Sequence, residues 1–202
     1  WGEDLESRST NLQLKRINEK PFAVQMLRYS ATALGGERRT ELPLANERVE
    51  LRVLKENGGV WPIYRKGGVE QLKGKSGERY RLEYRNNTRT KTYEIVTTVD
   101  GLDVLNGQAG SVKNRGYVLR PGGVLRIEGF RKSRNEVAAF RFSSAADSYA
   151  ANSDAGSAAN VGVIGTAIFE LADPVSVKPQ EGSSACVQKP CAFPKDRDPA
   201  QG

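Results

Sequence analysis

In the stretch Gly116–Phe142, GYVLRPGGVLRIEGFRKSRNEVAAFRF, apolar and polar positions alternate between breaks of glycine, proline and charge. A period of two is what a strand shows when one face is buried and the other is wet. Leu125 and Ile127 alternate with Arg126 and Glu128, and Ala138, Phe140 and Phe142 share a face opposite Arg141. Pro121 and Gly122 suit the two central positions of a type II turn, where proline pre-sets φ and glycine takes the positive φ. Gly129, just before Phe130, marks a bulge or a bend. The pattern predicts three strands in a meander. A lone meander leaves its apolar face uncovered, so a second layer is required.

The same alternation recurs along the chain. Val49, Leu51 and Val53 face away from Arg48, Glu50 and Arg52, and Asn57-Gly58-Gly59 predicts a hairpin into Val60–Tyr64. Pro62 cannot donate to a ladder, which predicts an edge position for that partner strand. Glu78–Arg85 and Lys91–Val99 are the longest strand candidates, joined through Asn86-Asn87-Thr88, and Asp100-Gly101 and Asn106-Gly107 are strong turn pairs. Val161–Leu171, VGVIGTAIFEL, is the most apolar run. Two glycines, each costing on the order of 1 kcal/mol in a helix, make it a central strand buried on both faces. Turn signals every 8–12 residues or so are those of a sandwich or barrel. The expected fold is all-β, an antiparallel β-sandwich of roughly eight to ten strands with at most short helical turns. It would occupy 42–172, after an extension at 1–41 with a strand at 22–30, and before a tail at 173–202 holding five of the nine prolines.

Composition adds a compartment. No run approaches the ~18 apolar residues of a membrane span, so no transmembrane segment is expected. The chain begins at Trp1 and its single methionine is Met26. It reads as a processed or trimmed product whose targeting segment or lipid anchor, if any, lay upstream of residue 1. Cys186 and Cys191, with four residues between them in the tail, have three readings: a local disulfide, part of a metal site, or two inert thiols. A disulfide in an oxidising compartment is the expectation.

The net charge of +7 raises the question of nucleic acid. In the densest basic stretch, 77–95, Tyr80, Leu82 and Tyr84 fall on one strand face and Arg79, Arg81 and Arg85 on the other. A base-stacking platform needs aromatics and cations on one surface, so nucleic acid is not the expected partner.

The chain has no histidine, which removes Ser-His-Asp and Cys-His catalysis and His-ligated zinc. Lys132-Ser133 is an ordinary loop step before it is a Ser-Lys pair. Asp100, Asp103 and Asn106 are oxygen ligands spaced by three, suited in type to Ca²⁺, but hairpin turns select the same residues for backbone reasons. Whether Glu136, Asp147 or Asp154 approaches Asp100 as a glycosidase pair would depends on the fold. Trp61 and Tyr64 flank glycine-rich loops where an exposed aromatic could stack on a sugar, against the commoner fate of core packing. Asn86 and Thr88 satisfy a glycosylation sequon, meaningful in a eukaryotic secretory setting. The loop Arg131, Lys132, Ser133, Arg134 concentrates three cations in four residues. It is the candidate recognition element, for an anionic envelope polymer or a protein partner, against the alternative of a solvated loop. No cofactor is called for.

The turns VDGLDVLNG and YVLRPGG, the step GFRKS, the segment DSYAA and the strand NVGVIG together resemble a widespread family of β-rich bacterial proteins, usually predicted to be exported or lipid-anchored and uncharacterised in activity. The resemblance covers about 100–171, or 78–171 with RYRLEYRNN. It implies a β-rich domain of the cell envelope and carries over no catalytic residues. The expected function is a non-enzymatic binding or interaction module. A carbohydrate-binding module using Trp61 and Tyr64, and a carboxylate- or metal-dependent hydrolase, are the alternatives.

Overall fold

Tyr80, Leu82 and Tyr84 turn inward and Arg79 and Arg85 outward, as their alternation predicts, on the strand that anchors one of two packed sheets. The computed structural model describes residues 14–30, 35–142 and 162–172. The core and surfaces below belong to the unit Arg16–Glu170. In chain order the strands are β1 (Lys15–Arg16), β2 (Ala23–Ser30), β3 (Glu37–Arg39), β4 (Leu42–Leu44), β5 (Val49–Leu54), β6 (Ile63–Lys66), β7 (Val69–Lys73), β8 (Arg79–Asn86), β9 (Thr92–Val99), β10 (Leu102–Asp103), β11 (Tyr117–Leu119), β12 (Val124–Ile127), β13 (Gly129–Arg131), β14 (Val137–Arg141) and β15 (Val163–Ala172). Nine of them reach four residues, within the number the turn spacing predicts, and the other six are two- or three-residue pieces. The described residues contain no helix.

The first sheet runs β10-β9-β15-β2-β7-β6-β3, with β11 also on β9 and Ile17 N–H donating to Glu170 O beside β15. The second runs β13-β14-β8-β5-β4, with β12 also on β8. Pairing is antiparallel except between β2 and β7, where Arg28–Ser30 run parallel to Gln71–Lys73. The fold is thus the all-β, mostly antiparallel sandwich expected. The apolar run at 161–171 is indeed central, lying between β9 and β2 and buried along nearly its whole length.

One polar group crosses the interior. The Tyr84 hydroxyl meets Thr97 Oγ1 of β9 at 3.0 Å and Thr166 Oγ1 of β15 at 2.7 Å, tying the second sheet to the first. Burial pushes this phenol up to about 12, and the two threonines hold it back from going higher. Burial raises the Tyr80 phenol further still, with a smaller contribution from Asp100. Asn86 makes a second tie where the chain leaves β8 for β9. Its amide donates to the carbonyls of Lys91 at 2.9 Å and Leu119 at 3.1 Å, while its Oδ1 accepts from the Thr88 N–H and hydroxyl.

Three expectations need correcting, all about which sheet a strand joins. Gly116–Phe142 is no meander: β11 pairs with β9 in the first sheet and β12 with β8 in the second. The RPGG turn between them is the one expected, with Gly122 at φ 70° and Gly123 N–H donating to Arg120 O at 2.9 Å, but it passes the chain from sheet to sheet. The hairpin at Asn57-Gly58-Gly59 closes only at its root, through Lys55 N–H to Gly59 O and Trp61 N–H to Val53 O. Pro62 then carries the chain across to β6, which lies inside the first sheet between β7 and β3 rather than at an edge. A boundary at residue 42 also leaves out β2 and β3, which are members of the first sheet.

Candidate functional site

The candidates taken from the sequence lie apart. Arg131 is drawn into its own loop, its guanidinium donating to the carbonyls of Ser133 and Arg134 and approaching the Tyr117 hydroxyl at 3.4 Å. Lys132, Ser133 and Arg134 are exposed on a tight β13–β14 connection where the N–H groups of Lys132 and Ser133 both reach Glu136 O. Trp61 is 9% exposed, set edge-on to Phe142 at 5.1 Å and capped by the Lys55 ammonium at 4.8 Å. Tyr64, three residues on, is half-buried. One side of the proposed aromatic pair is therefore core, and no sugar platform forms from the two.

The oxygen-rich turn is used by the backbone. Asp103 is buried, with Oδ1 accepting from Leu105 N–H at 2.7 Å and Oδ2 from the Asn114 amide at 3.1 Å. Asn106 Oδ1 accepts from Gln108 N–H, and Asp100 Oδ1 from Gly162 N–H. Asp100 also takes the positive φ of the two-residue turn it shares with Gly101. Among the described residues no three acidic, Cys or His side chains gather as a metal site. Cys186, Cys191, Asp147 and Asp154 lie outside the described residues.

A concavity lies elsewhere, on the outer face of the first sheet. Ile164, Thr166 and Ile168 of β15 face the core, which turns Gly165, Ala167 and Phe169 outward, beside Val96 and Thr98 of β9 and Val24 and Met26 of β2. The result is a groove of about 320 Å³. Its floor is Gly165, Ala167 and Thr98, and its walls are Val24 and Met26 on one side and Gly110, Ser111 and Val112 on the other. Gly165 keeps the floor low: a Cβ there would meet Thr98 Oγ1 at 2.7 Å. Val24 and Met26 are 60% and 55% exposed, unusual for large apolar side chains in mid-strand.

The loop wall is fastened by a buried ion pair. Arg16 Nε lies 2.7 Å from Oε1 of Glu94, whose Oε2 accepts from Gly116 N–H at 2.8 Å. The two Nη atoms of Arg16 donate to Val112 O at 2.7 Å and Asn114 O at 2.6 Å, and the guanidinium lies 3.6 Å over the Phe169 ring. A guanidinium can serve all four at once because it is planar and carries donors on three nitrogens. Gly116 is required here, since a Cβ would collide with Ile95 O. With Gly110 N–H bonded to Gly101 O as well, the loop is held before any ligand arrives.

None of these groove residues was singled out by sequence reasoning. The signal was present but incomplete: Val24 and Met26 alternate as a strand should, yet alternation does not say which of its two faces is wet. Arg16 and Glu94 are 78 residues apart, with nothing local to link them. No protein-family model, curated protein or solved structure matches the chain.

Proposed function

We propose that the protein is a non-enzymatic binding module of the bacterial envelope that takes an extended apolar segment of a partner protein in the groove over Gly165. The observation that carries this reading is the groove itself, preformed, lipped by exposed Val24 and Met26 and lined by no ionisable side chain. Methionine at such a lip adapts to the shape of its ligand. Strand addition is the less favoured mode. The first sheet ends on β10, two residues long, and on β3, three residues of Glu-Arg-Arg, and the second on β13, three residues, and on β4, whose middle residue is Pro43, and short, charged or proline-bearing edges oppose added strands. Of the buried carboxylates described, Glu83 is engaged by Arg126, Glu94 by Arg16 and Asp103 in its turn, while Glu70 meets Arg65 at 3.5 Å through one oxygen and leaves the other without a partner, outside the groove. That favours binding over acid-base chemistry. The envelope setting rests on the family resemblance.

A photo-reactive benzophenone side chain placed at position 26, with position 137 as control, tests the reading in envelope extracts. The expected product is a crosslink from position 26 to an apolar stretch of one partner, lost on Val24→Asp. Equal labelling from both positions, or turnover of a substrate by the purified chain, would overturn it.

A further inference from the structure

On the outer face of the second sheet, β8 changes partners. β12 pairs with it from Arg85 to Leu82, and β14 takes over at Tyr80 and Arg79. Arg81 falls in the gap, between the last residue of one ladder and the first of the next. A cavity of about 190 Å³ opens there, lined by Glu56, Arg79, Tyr80, Arg81, Glu128 and Ala139. Gly129 makes the hand-over possible, because any Cβ would strike Ala138 O where β13 turns away to pair with β14.

The electrostatics of this gap are unbalanced. Arg79 stands opposite Arg141 in register, and like charges directly across strands repel. Arg79 and Arg81, two residues apart on one face, both border the cavity. Their resident partners are weak: Glu56 at 3.3 Å from Arg79 and Glu128 at 4.0 Å from Arg81, with side chains 72% and 63% exposed. Arg81 donates from Nη2 to Lys55 O at 3.4 Å. Its Nε is buried and has no acceptor, the condition that costs most for a charged donor. Further along the same face Glu83 lies between Arg52 and Arg126 in register, with Arg126 Nε at 2.8 Å. There the cations have their anion. At Arg81 the nearest carboxylate stands off at 4.0 Å and Nε is left without an acceptor.

We propose that this gap is an oxyanion site, in which a phosphate or carboxylate group of a ligand bridges Arg79 and Arg81 and accepts from Arg81 Nε–H, with Glu128 swinging outward to admit it. Guanidinium donors in a fixed fork match the paired oxygens of both groups. This site is separate from the Arg131–Arg134 loop. The site lies on the opposite sheet from the groove, so its failure would leave the groove reading standing.

The probes are inorganic phosphate and acetate, followed through the Nε–Hε resonance of Arg81, with sodium chloride at matched ionic strength as control. Phosphate, acetate or both should shift that resonance saturably while chloride does not, and the stronger binder distinguishes the two sources of oxyanion. Arg79→Gln should weaken binding roughly tenfold, in keeping with loss of a charge-assisted hydrogen bond. Glu128→Gln, which removes the competing carboxylate at an exposed position, should tighten it by about two- to fivefold. An equal shift with chloride, no shift with either oxyanion, or unchanged affinity in both variants would overturn the proposal.

Discussion

On the outer face of the first sheet stand Val24, Met26, Val96 and Ala167, and on that of the second stand Arg52, Arg79, Arg81 and Arg126. Both faces rest on the same inward alternation of Leu, Ile, Tyr and Phe, so the core does not distinguish them. The difference lies in how each holds its charge. The first sheet holds Arg16 with Glu94 under a loop and against an aromatic ring, and pairs buried Glu70 with Arg65 more loosely at 3.5 Å. The second spreads several over open surface, where water screens them. One face is thus shaped chiefly by a contact closed in under a loop and the other patterned mostly by open ones, with Glu83 and Arg126 the exception.

The largest expected effect breaks the first face. Arg16→Ala leaves Glu94 buried with only the Gly116 N–H as partner, and removing one member of a buried pair costs about 3–5 kcal/mol. Urea unfolding should show the loss, and hydrogen exchange should rise at residues 110–116. Next comes the tie between the sheets. Tyr84→Phe leaves the Thr97 and Thr166 hydroxyls without their shared partner, costing about 1–3 kcal/mol. Tyr93→Phe should do the opposite and add about 1 kcal/mol, because the Tyr93 hydroxyl is buried with no acceptor or donor beside it. A thermal melt of both variants checks the two signs together.

The same tyrosines set an alkaline limit. Tyr84 is raised from 10.0 to about 12 in the folded chain, and Tyr80 is raised as well. Between these values the unfolded chain has released protons that the native one still holds. The stabilisation is therefore complete below about pH 10 and is lost as pH climbs toward 12, by roughly 3 kcal/mol for Tyr84 alone. Urea midpoints at pH 9 and 11.5 should differ less in Tyr84→Phe than in the parent. On the second face Arg126→Ala strands the buried Glu83 carboxylate, but Arg52 remains opposite it in register and the lost cation is itself largely exposed, so the cost should be about 1–2 kcal/mol, below that of Arg16→Ala. A loss matching that of Arg16→Ala would erase the contrast between the faces.

Much of the fold was legible because its signals are local. The alternation at 79–85, the Pro121-Gly122 turn and the buried run at 161–171 each took the form their residue types require. What the sequence did not carry was the partner of each strand. A type II turn is complete within four residues, but whether the strand after it joins β9 or β8 depends on which edge is open, and that is set by distant chain. The site suffered more, for the same reason. The cations of Arg131–Arg134 stood out because they are adjacent, and one of them serves its own loop. Arg79 and Arg141 meet only across a ladder, and Arg16 reaches Glu94 only through the folded sheet.

The corner at Asn86 has a consequence for making the protein in a eukaryotic host. Both amide hydrogens of Asn86 are given to carbonyls of Lys91 and Leu119, so the sequon it begins is closed once the sheets have met. An oligosaccharyltransferase could reach that nitrogen only on a nascent, unfolded chain, and a sugar attached there would keep the corner from closing. Glycan occupancy at this position would thus act as a clock, marking the molecules that lost the race to fold.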